Sequence, residues 1–166
     1  LVKNSFEKNA EFDFNKFKEV HNFVFSGRCS LYYNDSIVGK GVDKGKDYMF
    51  NHIFFDESKQ QSDHFNYAIM PILGRLNFNH LIRAKLNCYA RKHKLIHTLL
   101  HVDYENPHTV ALLSLNTCNG YTYFEDTKEK IKSVENQMVI FDGLRKHCSV
   151  AQTDTHVRVN ININLI

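Results

Sequence analysis

The chain has no tryptophan, only two prolines, seven glycines and four cysteines. Each shortage excludes something. Proline and glycine are too few to make a flexible linker, so the 166 residues read as one domain, 1–166, with one core. Cys29, Cys88, Cys118 and Cys148 are spread about evenly and form no C-x-x-C pair. That spacing argues against a four-thiolate zinc site. Two disulfides stay open, although a chain this long builds a core without them. No apolar run approaches the roughly 18 residues of a membrane span. Leu1-Val2-Lys3-Asn4 lacks the apolar stretch of a signal peptide, and the missing initial Met points to a trimmed start. The expectation is a cytoplasmic protein with no membrane partner. Charge of one sign is also scarce. A net charge of +3 fits an anionic small ligand or nucleic acid and demands neither. Nothing in the composition sets the oligomeric state.

What is present is an ordinary globular balance, 43% apolar and 23% charged, with aromatics at 13%. Asp13 is a plausible N-cap for a helix on which Phe14, Phe17, Val20, His21 and Val24 recur at helical spacing, and Ser26-Gly27 ends it. Ser62 to Leu76 repeats that spacing around Pro71, which predicts a kink or two shorter helices. Asn34 to Lys46 reads as a mobile loop, and Tyr48 to Phe55 is ambiguous. Beyond residue 80 the period becomes two. Cys29–Tyr33, Leu81–Tyr89, Leu95–His101, Thr109–Asn116, Tyr121–Glu125 and Gln137–Asp142 read as strands, and Asn119-Gly120 as a turn between two of them. Leu81–Tyr89 alternates, with Ile82, Ala84, Leu86 and Cys88 on one face. The last strand is the clearest. Arg158, Asn160, Asn162 and Asn164 share one face, and Val157, Val159, Ile161, Ile163 and Leu165 share the other. The pattern is α+β, mainly β: an antiparallel sandwich or jelly roll with N-terminal helices packed on one sheet.

Three separated elements carry candidate chemistry. His101-Val102-Asp103 ends a predicted strand, so period two puts His101 and Asp103 on one face. With ten histidines in the chain, H-x-D alone is a weak signal. His147, just after the strand Gln137–Asp142, supplies a second imidazole. Two imidazoles and one carboxylate make the facial triad that binds Fe(II) and leaves three positions open. Arg158 follows His147 by eleven residues on the polar face of the last strand. Its planar guanidinium can clasp the far carboxylate of a metal-chelated 2-oxoglutarate, and Asn160 on the same face can add a donor.

The ordered set is His101-Val102-Asp103, Leu113-Ser114-Leu115-Asn116, Gly120 to Phe124, Phe141-Asp142-Gly143 to His147, then Arg158. In that order and spacing, Leu81 to the C-terminus resembles the catalytic core of Fe(II)/2-oxoglutarate dioxygenases of the prolyl 4-hydroxylase-like branch. The match covers about half the chain. It implies a double-stranded β-helix of cupin-like type, with 81–166 as catalytic core and 1–80 as N-terminal helices and substrate-side loops. It also implies Fe(II) on His101, Asp103 and His147, 2-oxoglutarate and dioxygen as cosubstrates, and release of succinate and carbon dioxide. Tyr89 stands where the branch often places a tyrosine that touches the cosubstrate. Some details depart from the branch. Ser114 stands where some prolyl hydroxylases have tyrosine, and Arg158 where many prolyl 4-hydroxylases have lysine.

The substrate is read as a protein side chain, peptidyl proline first, with a free small molecule or a nucleic acid base as alternatives. Two rivals use the same residues differently: a jelly-roll binding module without catalysis, and a cupin-like metal protein that does not use 2-oxoglutarate. Arg145 and Lys146, beside His147, are candidates to meet substrate at a cavity mouth. Arg91-Lys92-His93-Lys94 and Lys128 to Lys132 read as solvated surface.

Overall fold

The computed structural model describes residues 7–8, 13–38 and 47–166. Asp13 opens helix α1 (Phe14–Phe25) because its carboxylate accepts a hydrogen bond from the Lys16 N–H at 3.0 Å. That satisfies one donor the first helical turn cannot. Ser26 caps the other end, and Gly27 leaves it with φ +78°, a left-handed conformation that suits glycine. Pro71 divides the second helical stretch into α2 (Phe65–Ala68) and α3 (Met70–Leu73), and it sits in the first turn of α3, where a missing N–H costs little.

Among the described residues eleven strands complete the order: β1 (Glu7–Lys8), β2 (Tyr32–Asn34), β3 (Met49–Asp56), β4 (Lys59–Gln60), β5 (Leu81–Ala90), β6 (Thr109–Ser114), β7 (Cys118–Phe124), β8 (Lys130–Ser133), β9 (Met138–Asp142), β10 (His147–Val150) and β11 (Val157–Leu165). The larger sheet runs β1-β9-β6-β11-β5-β3-β2, with β4 on β3, and the smaller runs β10-β7-β8. Every pairing of named strands is antiparallel.

Strict alternation gives the larger sheet two unlike faces. Val159, Ile161 and Ile163 of β11 and Ala84 and Leu86 of β5 pack with Phe17, Val20 and Phe23 of α1 and with Ile69 and Ile72 in one core. Each such aliphatic or aromatic side chain contributes about 1.5–3 kcal/mol on burial. Val157, at the strand's start, is only partly buried against that core. The opposite face carries Arg158, Asn160, Asn162 and Asn164, paired across β5 with Tyr89, Asn87, Lys85 and Arg83. This polar face looks into a cavity whose other wall is the smaller sheet, through Thr122, His147 and Ser149. Val110, Phe124, Ile131, Val139 and Phe141 form a second apolar cluster with members from both sheets.

Several elements differ from the sequence reading. The strand expected at Cys29–Tyr33 lies at Tyr32–Asn34, and Cys29 is buried in the helix-side core. Met49–Asp56 settles the ambiguous segment as a strand, so the N-terminal half supplies strands as well as helices. Of the loop expected at Asn34–Lys46, residues 39–46 lie outside the described residues. On β5 the buried residue at the start is Leu81, not Ile82, because the register with β11 shifts there. Leu95–His101 is an extended segment with isolated bridges at His97 and His101, not a continuous strand.

Asn119-Gly120 is not a turn; it lies inside β7, where the pairing with β8 slips. The reversal comes earlier. The Asn116 side chain bonds Val157 O and the Val159 N–H, at 2.9 and 2.8 Å, and so stands in for a strand partner of β11. Of Lys128 to Lys132, read as solvated surface, residues 130–132 belong to strand β8, where Lys130 and Lys132 are exposed and Ile131 is buried. All four cysteines are free and buried. No helix among the described residues is long and apolar enough to cross a membrane.

Candidate metal centre and cosubstrate pocket

His101 and His147 are held opposite each other by backbone. Each N–H donates to the other's carbonyl at 3.0 Å, the closed pair of an antiparallel ladder. Their side chains therefore leave on one face, with ring centroids 4.9 Å apart. His101 Nδ1 lies 3.0 Å from Leu99 O, and His147 Nδ1 lies 2.9 Å from Arg145 O. A carbonyl oxygen only accepts, so Nδ1 carries the proton in both rings and the Nε2 lone pairs are left for a metal. Asp103 completes the group: one ligand atom from each of the three residues lies within 4.8 Å of the others.

Asp103 is oriented from the floor of the larger sheet. Asn164 Nδ2 and Asn162 Nδ2 donate to its Oδ2 at 2.8 and 3.1 Å, and Arg83 lies 3.5 Å from Oδ1. Burial alone would raise this carboxyl's pKa. The Arg83 and His147 charges, the Asn164 hydrogen bond and His101 outweigh it and hold the group well below the usual carboxylate range. Burial pushes the His147 imidazole down against the pull of Asp103, which favours the neutral ring a metal ligand needs. Two imidazoles that each present Nε2 and an ionised carboxylate, with the second nitrogen or oxygen of each already engaged, fit a ferrous ion.

Arg158 sits deeper in the same cavity and is 1% exposed. Its terminal nitrogens donate to Ser149 Oγ at 2.6 Å and Thr122 Oγ1 at 3.1 Å, while its Nε has no protein partner. Among the described residues no carboxylate pairs with this buried cation, which is held in place by two hydroxyls from the smaller sheet. The Tyr89 ring lies 5.7 Å from its guanidinium carbon. Gly120 makes the approach feasible, since a Cβ there would come within 3.0 Å of Arg158 Cδ and of Val150 O. Asn160 lines the cavity, but its Oδ1 already accepts from Asn87 at 3.0 Å.

The structure thus places His101, Asp103, His147, Arg158, Tyr89 and Asn160 around one cavity. Arg145 and Lys146 do not line it. Arg145 grips Asp126 with two bonds of 2.7 and 2.8 Å and stacks on Phe124, so it holds the turn that presents His147. The residues missed were the supporting ones: Thr122 and Ser149 behind Arg158, Arg83 and the two asparagines behind Asp103, and Lys85 on the floor. Alternation in β5 and β11 was the available signal for those on the floor. None marked Thr122 or Ser149, which reach Arg158 only through sheet-on-sheet packing.

No family model matches the sequence, and neither does any curated protein. Solved structures match in fold. One is a prolyl hydroxylase from Trichoplax adhaerens in complex with a hypoxia inducible factor oxygen degradation domain peptide, at 15% identity, TM-score 0.67, and 99% and 84% coverage of this chain and that one. A second is the viral collagen prolyl hydroxylase of Paramecium Bursaria Chlorella virus-1 in its 2OG complex, at 13%, 0.58, 97% and 96%. A third is the non-heme alpha ketoglutarate dependent epimerase SnoN of nogalamycin biosynthesis, at 10%, 0.67, 99% and 78%. At these identities the likeness is one of fold, and the fold of this chain is that of solved prolyl hydroxylases and other 2OG-Fe(II) oxygenases.

Proposed function

We propose that the chain is an Fe(II)- and 2-oxoglutarate-dependent oxygenase, and that its two sheets are the walls of a double-stranded β-helix. One observation carries the reading: a single cavity holds the His101, Asp103 and His147 ligand group and, deeper, a buried guanidinium with no acidic partner among the described residues. His101, Asp103 and His147 hold the metal. Arg158 takes the far carboxylate of 2-oxoglutarate as a bidentate partner, with Tyr89 beside it and Asn160 next along the strand. Bound there, iron supplies dioxygen activation coupled to decarboxylation of 2-oxoglutarate to succinate and carbon dioxide.

The chain's own residues do the rest. Thr122 and Ser149 aim the guanidinium before the cosubstrate arrives. The carbonyls of Leu99 and Arg145 lock both imidazoles in the metal-binding tautomer. Asn162, Asn164 and Arg83 keep the Asp103 carboxylate ionised and facing the metal. Leu112 and Phe141 supply apolar wall that limits water in the cavity.

The proposed reaction is hydroxylation of a protein side chain, peptidyl proline first, a choice the likeness to prolyl hydroxylases supports. The SnoN likeness at the same TM-score as the Trichoplax one keeps a small-molecule substrate as the alternative, since one fold hosts several reactions. The test is anaerobic titration of Fe(II)-loaded protein with 2-oxoglutarate. A weak visible charge-transfer band is expected, followed in air by succinate release. Protein that binds Fe(II) but shows no band and no succinate would be a metal protein of another kind. Protein that binds neither would be a non-catalytic binding module.

A further inference from the structure

The polar face of the larger sheet carries four cross-strand pairs, Arg158 with Tyr89, Asn160 with Asn87, Asn162 with Lys85, and Asn164 with Arg83, and the first three line the cavity. Taken residue by residue, the polar side chains on it are engaged by at least one protein contact, although single atoms such as Arg158 Nε and Asn162 Oδ1 stay unpartnered among the described residues. Arg158 bonds Thr122 and Ser149, Asn87 bonds Asn160, and Asn162, Asn164 and Arg83 all reach Asp103. Lys85 is the exception. It lines the cavity with His101 and Asp103, yet among the described residues no hydrogen bond or ion pair engages its ammonium group. Burial and the Arg83 charge push its pKa down to about 8 against the smaller opposite pull of Asp103 and Asp56, so holding a proton there is costly. A residue serving only as wall would be an apolar side chain.

Charge points the same way. Fe(II) and Arg158 would bring three positive charges, and Asp103 and the 2-oxoglutarate dianion three negative ones, so the loaded centre is neutral. Arg83 and Lys85 remain in excess. Arg83 is placed against Asp103 and over the Tyr104 ring, at 5.1 Å from its centroid. Lys85 is left to meet something else. Its partner Asn162 is four residues along β11 from Arg158, about 13 Å of strand. Its other neighbour, Ile53 of β3, is exposed, so Lys85 lies toward the open side of the sheet.

We propose that Lys85 anchors an oxyanion of the substrate itself, a carboxylate or a phosphate, separate from the cosubstrate carboxylate that Arg158 takes. This rests on the Fe(II)/2-oxoglutarate reading and narrows it: the substrate presents an anionic group within reach of a lysine beside the metal. Lys85 is then a specificity-determining residue, and it takes no part in the bond-making steps.

The test uses the full chain with lysines reductively methylated with carbon-13, loaded with redox-inert Zn(II) and saturated with 2-oxoglutarate. Calorimetry first establishes that 2-oxoglutarate binds. The Lys85 NMR signal, identified by its loss in Lys85→Met, is then followed while acetate or inorganic phosphate is added at constant ionic strength. A saturable shift is expected, at a concentration at least tenfold below that at which the other lysine signals or a chloride control respond. Tighter acetate assigns a carboxylate, and tighter phosphate a phosphate. A response no stronger than that to chloride would overturn the proposal while leaving the parent reading intact. So would a shift produced by 2-oxoglutarate alone that then blocks both anions, since Lys85 would belong to the cosubstrate. Failure of 2-oxoglutarate to bind at all would sink the parent reading, and this one with it.

Discussion

Arg158 and Lys85 are two cations on one face of one sheet, and their surroundings give them different physics. Arg158 donates to two hydroxyl oxygens that hold it and lies wholly inside. Arg158→Ala should weaken 2-oxoglutarate binding by roughly 30- to several-thousand-fold, the cost of about 2–5 kcal/mol for breaking a buried charge pair. Metal affinity, followed separately by calorimetry, should change far less. Arg158→Lys should fall between, since it keeps the charge and loses the fork. Equal 2-oxoglutarate affinity in Arg158→Ala would mean that the carboxylate is held elsewhere. Lys85 makes a prediction about stability. Its pKa is depressed from 10.5 to about 8 in the folded protein. Below pH 8 both folded and unfolded chains carry the proton, and the full cost of burying it is present. Between about 8 and 10.5 the folded protein has released the proton and the unfolded chain has not, so stability rises with pH across that window. Lys85→Met should therefore stabilise the metal-free protein by roughly 1–3 kcal/mol at pH 7, and the advantage should shrink above pH 8. Urea melts of both proteins at pH 7 and 9.5 measure it.

At the scale of elements, β11 does two jobs with one alternation. Its apolar residues dock the helices, and its polar ones build the cavity floor. Asn164 is 0% exposed and makes the shorter of the two amide bonds to Asp103. Asn164→Ala should lower Fe(II) or Zn(II) affinity by about 10–100-fold, the usual effect of removing an outer-shell partner, with an unchanged circular dichroism spectrum. Strand β7 has a tight spot at Gly120. A methyl group there would press on backbone at Val150 O, which cannot move aside as a side chain does. Gly120→Ala should cost about 1–3 kcal/mol and weaken 2-oxoglutarate binding by displacing Arg158. Here the sequence reading took Asn119-Gly120 for a turn, and the structure puts both residues inside a strand. Asn-Gly usually signals φ > 0 in a turn; this glycine serves close approach. The strands legible in sequence were those with one apolar and one polar face, β5 and β11 above all. The segment ending at His101 was harder, because its backbone pairs with β10 only at isolated bridges.

For the whole molecule, the helices and the chemistry lie on opposite faces of the larger sheet. Phe17 of α1 is fully buried against that sheet's apolar face. Phe17→Ala should cost about 3–5 kcal/mol of folding stability, read by urea denaturation. Metal affinity of the protein that remains folded should stay within a few-fold of wild type, because no atom of α1 lines the cavity. A large loss of metal binding in fully folded Phe17→Ala would show that the sheet transmits strain from one face to the other.

Features set by local rules could be read along the chain: the helix start at Asp13, the division at Pro71, the alternation of β11, and the placing of His101 and Asp103 on one side of Val102. Period and capping are properties of neighbours along the chain, so a single sequence displays them. It also put His147 and Arg158 in the order and spacing from which a shared site with His101 could be inferred. Tertiary structure alone decided which side chains meet across sheets. Thr122 and Ser149 come to Arg158 from another sheet, and Arg83, Asn162 and Asn164 come to Asp103 from two adjacent strands. Lys85 became conspicuous only when every polar neighbour on its face proved to be engaged with another residue. Such facts depend on contacts between residues far apart in the chain, and nothing in local spacing encodes them.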